Sequence, residues 1–342
     1  MPQDISIETY LKQYQDLALI DVRSPGEFDK GHIPSAINIP LFSNDERAHV
    51  GTVYKQQSKE KAIELGYTYV NPKLEDFISQ SLKAASNKKA VIHCWRGGMR
   101  SHAFAQHLSD NGFEEVYVIK HGYKAYRRLA LNSFGDHQIK VLGGYTGSGK
   151  THILHQIKAR GKQVLDLEKL ANHKGSAFGS IGQDMQPSTE QFENNIYWQW
   201  RLFDKTKPVW LEDESPNIGN VNIPMHLFRK MREVPLIFVD IKKEERANHL
   251  VEEYADKTHQ EKLIDSVQRI SKRLGHEATS KALNNLKQGN YYDVALLTLN
   301  YYDKYYLRGM NRRDAKKINI LKLDTIDHAK NAQLILEFAD TI

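Results

Sequence analysis

The run Gly144-Tyr145-Thr146-Gly147-Ser148-Gly149-Lys150-Thr151 fills every fixed position of G-x-x-x-x-G-K-[ST]. It lies between an apolar, strand-like stretch, 139–143, and a helix-forming one, 152–158. The motif works only in that order: the chain leaves a buried strand, turns through glycines, and enters a helix whose N-terminus points at the bound anion. This part of the molecule is therefore expected to be α/β. Gly144, Thr146, Gly147, Ser148 and Gly149 would present main-chain N–H groups to phosphate, Lys150 would bridge phosphate oxygens, and Thr151 offers a hydroxyl to Mg²⁺. The loop asks for linked phosphates but does not name ATP, and no second nucleotide signature accompanies it. A diphosphate leaving group suits the same cradle. Glu212-Asp213-Glu214 ends the strand-like run 208–213. Two readings of it stand open: Asp213 as the acidic partner that holds a magnesium-bound water, or a merely polar strand end.

Strand-like runs alternate with helical stretches over the first third of the chain: 18–22, 36–40, 90–93 and 116–119 against 71–85 and 101–111. Such alternation implies a parallel sheet with helices on both faces. A second set of runs, 139–143, 163–166, 208–213, 235–240 and 318–324, repeats the pattern, and 242–317 reads as mostly helical. The expected organisation is an N-terminal α/β domain over 1–130, a linker over 131–138, and a phosphate-loop α/β domain over 139–342 with a helical extension.

Cys94 is the only cysteine of the 342 residues, and it opens Cys94-Trp95-Arg96-Gly97-Gly98-Met99-Arg100-Ser101. A lone cysteine is ordinarily a small buried apolar residue. A core position, however, has no use for Arg96, Gly97, Gly98 and Arg100 in succession. A glycine-rich turn converges N–H groups on one centre, and arginines add positive potential; both favour the thiolate, the nucleophilic form. One cysteine also excludes an internal disulfide, which suits a reducing cytoplasm. The N-terminus is polar and acidic without a leader's basic start, and no apolar run approaches the roughly 18 residues of a membrane span. A soluble cytoplasmic protein is expected. His32, His93, His102, His107 and His121 are not spaced like metal ligands, and no resident metal or tightly bound cofactor is expected.

The formal charge is +6, and it is concentrated. Between Ser266 and Lys317 eleven Lys or Arg face four acids, a local excess of 11 − 4 = +7, with six of the seventeen tyrosines in the same stretch. Basic charge interleaved with aromatics suits phosphate neutralisation and base stacking. A solvated helix face with tyrosines packed beneath it is the competing reading. The candidate RNA contacts are Lys124, Arg127 and Arg128 in the basic segment 120–128, with Arg273, Arg312 and Arg313 further on.

Particular residues add a resemblance. Leu19-Ile20-Asp21-Val22-Arg23-Ser24-Pro25-Gly26-Glu27-Phe28, then Gly31-His32-Ile33-Pro34-Ser35-Ala36-Ile37-Asn38-Ile39-Pro40, resemble the rhodanese sulfurtransferase domain. Cys94–Arg100 falls where that domain has its catalytic loop. The loop Cys-Trp-Arg-Gly-Gly-Met-Arg-Ser joined to a downstream phosphate loop resembles the bacterial tRNA 2-selenouridine synthase family. The insert 44–56 and Lys272-Arg273-Leu274-Gly275 do so as well, although His276 stands where a second glycine is expected.

The resemblance implies a two-step reaction on the wobble 2-thiouridine of tRNA. Geranyl diphosphate first alkylates the sulfur and releases diphosphate. Selenium from selenophosphate, supplied by its own synthase, then replaces the geranylated sulfur. Gly144–Thr151 would hold the diphosphate and Cys94 would carry selenium as an S-selanylcysteine, supported by the loop amides, Arg96 and Arg100. The order is chemically reasonable, because a thiocarbonyl sulfur leaves poorly whereas an alkylated sulfur leaves as a thiolate. Two other readings are an ATP-dependent rhodanese-type tRNA sulfurtransferase, which would adenylate its substrate and deliver a persulfide, and an RNA-binding or signalling module with a degenerate rhodanese.

Overall fold

In the computed structural model, which describes residues 1–255, 259–310 and 312–342, the apolar runs of the first third become a parallel sheet. Its strands are β1 (Gln3–Ile5), β2 (Ala18–Asp21), β3 (Ile37–Asn38), β4 (Lys89–His93) and β5 (Glu115–Ile119), in the order β1-β5-β4-β2-β3. Every neighbouring pair is parallel. Helices cover both faces, so the central strands are apolar on both sides rather than alternating; Ile20, Ile92 and Val118 meet Phe77, Phe104 and Leu108 in one core. This sheet and its helices form a compact unit, Met1–Asn132.

Several element ends differ from the sequence reading, each for a local reason. The edge strand β3 shrinks to two residues, although Ile39 N and Leu41 N still donate to Asp21 O and Val22 O past its end, and Pro40 turns its missing N–H to the outer edge. Pro72 sits in a 3₁₀ turn, Asn71–Lys73, ahead of helix Leu74–Ala84. The helix expected from Ser101 begins at Met99, which brings its first turn up to the Cys94 loop. β1 was not foreseen; three residues carry too little pattern to read.

The second unit, Ser133–Ile342, holds β6 (Ile139–Gly144), β7 (Gln163–Val164), β8 (Val209–Glu212), a small antiparallel pair β9 (Asn217–Ile218) and β10 (Val221–Asn222), then β11 (Leu236–Ile241) and β12 (Ile318–Leu323). The main sheet is wholly parallel in the order β12-β11-β6-β8-β7. β6 is central, and the chain builds first to one side of it and then to the other. Its carboxyl end is thus the topological switch point, where ligands of open α/β sheets bind. Helices Lys150–Ala159 and His328–Ala339 pack together on one face through Ile153, Ile157, Ala332 and Ile335. Helices Lys243–Tyr254, Gln260–Arg269, Ser271–Leu274, His276–Gln288 and Tyr291–Met310 form the extension, with a core of its own around Leu263, Val267, Ala282, Leu286 and Val294.

The stretch 131–138 is packed chain rather than free linker. Leu131 and Asn132 close helix Gly122–Asn132, while Phe134 and His137 are buried edge-on against Trp200. Among the described residues no helix is long and apolar enough to cross a membrane.

One glycine in the first unit carries a specific prediction. Gly122 has φ +50°, and a Cβ there would lie 2.1 Å from the Cys94 carbonyl oxygen and 2.6 Å from the Gly97 nitrogen. Gly122→Ala is expected to cost the full-length protein about 2 kcal/mol or more in this unit. Urea unfolding followed at Trp95, the unit's only tryptophan, should show an earlier midpoint, and an unchanged midpoint contradicts this packing.

Candidate active site

Cys94 follows β4 and is buried, with 3% of its surface exposed. The chain after it turns sharply: Gly97 has φ +59°, and a Cβ there would come within 2.2 Å of the Ile119 carbonyl oxygen. The turn is fastened from the other side, where Tyr123 N donates to Cys94 O at 2.9 Å and Lys124 N to Trp95 O at 3.0 Å. Helix Met99–Asp110 then starts directly beneath the sulfur, with Gly98 at its N-cap and Ser101 Oγ 3.4 Å from Cys94 Sγ. A helix N-terminus favours an anion at this point.

Burial opposes ionisation of the Cys94 thiol. The Arg100 charge, the Ser101 hydroxyl and the N–H groups of Gly98 and Arg96 outweigh it, and the thiol is held below its ordinary value. Arg100 is in turn anchored on Glu27, its Nη1 donating to Oε2 at 2.9 Å. The two arginines therefore act differently: Arg100 supplies charge, whereas Arg96 supplies a main-chain N–H and its side chain is exposed.

Beneath the loop, Arg23 forms a buried fork with Asp21, Nε to Oδ2 at 2.9 Å and Nη2 to Oδ2 at 2.6 Å, and stacks 3.9 Å from the Tyr123 ring. His93, fully buried beside this pair, is driven down to about 4 by burial against the opposing pull of Asp21, so it is neutral at pH 7.

In the second unit Gly147 and Gly149 take φ +79° and +70°, as a loop wrapped round an anion requires. Ser148 Oγ donates to Tyr145 O at 2.7 Å within the turn. The loop is propped from outside by buried Arg246, whose guanidinium donates to Thr146 O at 3.0 Å and forks onto Asp303 at 2.9 Å twice. Lys150 and Thr151 open the helix and face three acids. Lys150 Nζ lies 3.3 Å from Glu212 Oε1, and Thr151 Oγ1 lies 2.9 Å from Glu212 Oε2 and 2.8 Å from Glu168 Oε2. One hydroxyl proton serves only one carboxylate, so a proton held on Glu168 makes the second bond.

That proton is consistent with the electrostatics. Burial, and then the charges of Glu212 and Glu214, raise Glu168 well above the carboxylate range. Burial and Glu212 push Glu214 up to about 8. For Lys150, burial works against the charge, but Glu212, Glu214 and Glu168 overcome it and raise its pKa. Donor oxygens of Glu168, Glu212 and Glu214 lie within 4.8 Å of one another, an oxygen set that fits Mg²⁺. With Thr151 they would hold it, and the ion would neutralise phosphate charge.

The structure reassigns two sequence candidates. Asp213 is not the acid at the loop: Arg313 Nη2 donates to its Oδ1 at 2.5 Å, Arg232 Nη1 at 3.3 Å, and Tyr306 OH donates to its Oδ2 at 2.9 Å. Glu212, one residue earlier at the end of β8, faces Lys150 and Thr151 instead. Arg313 is correspondingly withdrawn from RNA; its side chain is 1% exposed and also donates to Met231 O. Of the other basic candidates, Lys124, Arg128, Arg273 and Arg312 are exposed and Arg127 is half-buried. Tyr302, Tyr305 and Tyr306 all line the phosphate cleft, Tyr302 and Tyr306 half-buried and Tyr305 at its exposed rim.

Glu168 and Arg246 escaped sequence reading. Glu168 follows the strand-like run 163–166 at the same end of the sheet as Glu212, which was the available signal. Arg246 lies on a polar helix, where one charge among many gives no signal.

A thiolate-favouring cysteine loop on one parallel sheet and a phosphate loop on another define a two-unit α/β protein equipped for thiol chemistry and for phosphate-ester recognition. Known proteins agree with that class. A family model described as the tRNA 2-selenouridine synthase AAA domain matches residues 137–332, and the rhodanese-like domain model matches residues 6–129. A tRNA 2-selenouridine synthase of Nitrosomonas europaea is 34% identical, with 87% of this chain and 90% of that protein covered. One of Marinobacter nauticus is also 34% identical over the same shares. One of Shewanella denitrificans is 39% identical, covering 78% and 72%. The chain belongs to the tRNA 2-selenouridine synthase family.

Two predictions follow from these electrostatics. Arg100→Met should raise the Cys94 pKa, moving the midpoint of its alkylation rate by iodoacetamide to higher pH; an unmoved midpoint removes Arg100 from the cradle. In metal-free protein Glu214 keeps a proton that the unfolded chain, with its ordinary value of 4.5, gives up. Stability from this group is therefore present at low pH and is lost as pH rises from about 4.5 through about 8. Glu214→Gln should flatten that loss in thermal melts across the window, whereas parallel curves for the two proteins contradict it.

Proposed function

We propose that this protein makes 2-selenouridine in tRNA in two steps: geranylation of the wobble 2-thiouridine sulfur by geranyl diphosphate, then replacement of that sulfur by selenium from selenophosphate. Family membership supports the overall reaction. The observation that carries the geranyl step is the shape of the phosphate site. The cleft over Gly149, Lys150 and Thr151, about 440 Å³, runs into an apolar pocket, and Thr146, Ser176, Leu250, Tyr254 and Tyr302 line both. Beyond them Phe178, Leu263, Leu286, Val294 and Ala295 close the pocket.

A nucleoside has no use for such an end wall, because its ribose and base bring polar edges that would be left unpaired there. An isoprenoid tail gains about 25 cal/mol for each Å² it buries. A diphosphate on the loop that points the end of its tail into this pocket, about 60 Å³ as it stands, uses both halves of the site.

The chain's residues then have definite tasks. Sulfur of the thiouracil attacks C1 of the geranyl group, and the C–O electron pair leaves with the diphosphate. Lys150 and the loop N–H groups hold the charge that develops on the departing oxygen. In the second step the selenium of selenophosphate attacks C2 of the base, the geranylated sulfur departs as a thiolate with its bonding pair, and water then takes the phosphoryl group off selenium as phosphate. Cys94, its anion stabilised by Arg100 and the loop amides, serves this second step.

Purified protein, geranyl diphosphate and a 2-thiouridine anticodon stem-loop should yield the S-geranyl product by mass spectrometry. Lys150→Ala should slow that step by about a hundredfold or more. Cys94→Ser should leave it intact while abolishing selenium incorporation from selenophosphate. Val294→Phe should weaken geranyl transfer while inorganic diphosphate still binds. Saturable ATP turnover stimulated by a sulfur donor, with no geranyl product, contradicts the proposal.

A further inference from the structure

Three histidines from distant parts of the sequence meet beside the phosphate loop. His152 lies in the first turn of helix Lys150–Ala159, His249 on helix Lys243–Tyr254, and His328 opens helix His328–Ala339. One ring nitrogen of each lies within 4.8 Å of the other two. His249 and Glu253 stand one turn apart on the same helix and so share a face. Glu253 Oε1 lies 3.6 Å from His152 Nδ1 and 4.0 Å from His249 Nε2.

His328 Nε2 supplies an independent observation. It is buried without a hydrogen-bond partner, and it presses so closely on the loop that a Cβ on Gly149 would lie 2.7 Å from it. An orphaned imidazole nitrogen is costly unless something fills its lone pair or accepts its proton. Burial, followed by the neighbouring histidines His152 and His249, keeps His328 below the ordinary imidazole range. Burial keeps His249 low as well, against the pull of Glu253.

We propose that His152, His249, His328 and Glu253 form a site for one transition-metal dication of the zinc class, distinct from the oxygen set at Thr151. Three imidazoles and a carboxylate are a donor set for zinc or cobalt rather than magnesium. Ligand atoms round a tetrahedral zinc stand about 3.3 Å apart, given Zn–N bonds of about 2.0 Å, so the ligand atoms must draw together to close the site. The part that moves is His152, whose side chain is 47% exposed. Its ring stacks on His328 at 4.8 Å and 17° and must turn out of that stack, because a metal lies in the plane of each ligating ring. Lys174, whose Nζ now lies 3.7 Å from Glu253 Oε1, gives up its place to the dication. A bound metal would tie three helices together and fix the wall against which Gly149 rests.

The test uses the full-length protein, stripped with a chelator and titrated with Co²⁺. One equivalent should produce the visible d–d bands of tetrahedral cobalt, Zn²⁺ should displace them, and Zn²⁺ should raise the melting temperature. His152→Ala, at an exposed position, should weaken Co²⁺ binding by at least about tenfold, and His328→Ala should abolish the bands. Glu168→Gln should leave them unchanged. Absence of tetrahedral bands at saturating Co²⁺ overturns the proposal. So do bands that persist in His152→Ala and His328→Ala, or bands lost in Glu168→Gln, which would place the metal among the carboxylates.

Discussion

The phosphate cleft depends on one electrostatic arrangement: a lysine ammonium facing three carboxylates at the end of a parallel sheet. Lys150 sits 3.3 Å from Glu212, with Glu168 and Glu214 close by. Three carboxylates against one ammonium is an excess of negative charge that a low-dielectric site does not tolerate. Protons held by Glu168 and Glu214 relieve it. In the proposed function a dication would replace these protons, and phosphate oxygens would take over Lys150. Around it the neighbouring segments are braced by ordinary packing and pairing, with Arg246 on Asp303 behind the loop and Arg313 on Asp213 beside it.

The cysteine unit solves the converse problem. There a single sulfur must carry negative charge while buried, and the protein meets the cost with a helix N-terminus, loop amides and one anchored arginine. The Asp21–Arg23 pair and neutral His93 keep the floor of that loop rigid without adding net charge next to the sulfur. The proposed chemistry divides along the same line. Alkylation needs a site that stabilises departing diphosphate, and selenium transfer needs one that stabilises a chalcogen anion.

Much of this was legible in the sequence because the decisive features are local. A glycine needed at positive φ, a strand before it and a helix after it leave a mark within ten residues, and both Cys94–Ser101 and Gly144–Thr151 are marks of that kind. What the sequence concealed depends on pairings across the fold. Asp213 and Glu212 are adjacent acids on a strand end, and only strand alternation, which turns them to opposite sides, decides that one meets Lys150 and the other Arg313. Arg313 reads as an RNA contact in the sequence, because the partner that withdraws it lies 100 residues away. Tyr302 and Tyr306 are equally ambiguous in the sequence, since a helix set against a cleft shows the same aromatic spacing as one set against solvent. The histidine cluster, assembled from three helices, leaves no spacing to read.

The central claim is that the phosphate loop serves an apolar diphosphate. The most direct measurement is calorimetric binding of geranyl diphosphate, inorganic diphosphate and ATP to the same full-length protein at several temperatures. Burial of the isoprenoid tail predicts that geranyl diphosphate binds more tightly than inorganic diphosphate and with a more negative heat-capacity change, while ATP binds more weakly. Geranyl diphosphate binding no better than inorganic diphosphate, with ATP the tightest ligand, would contradict the account.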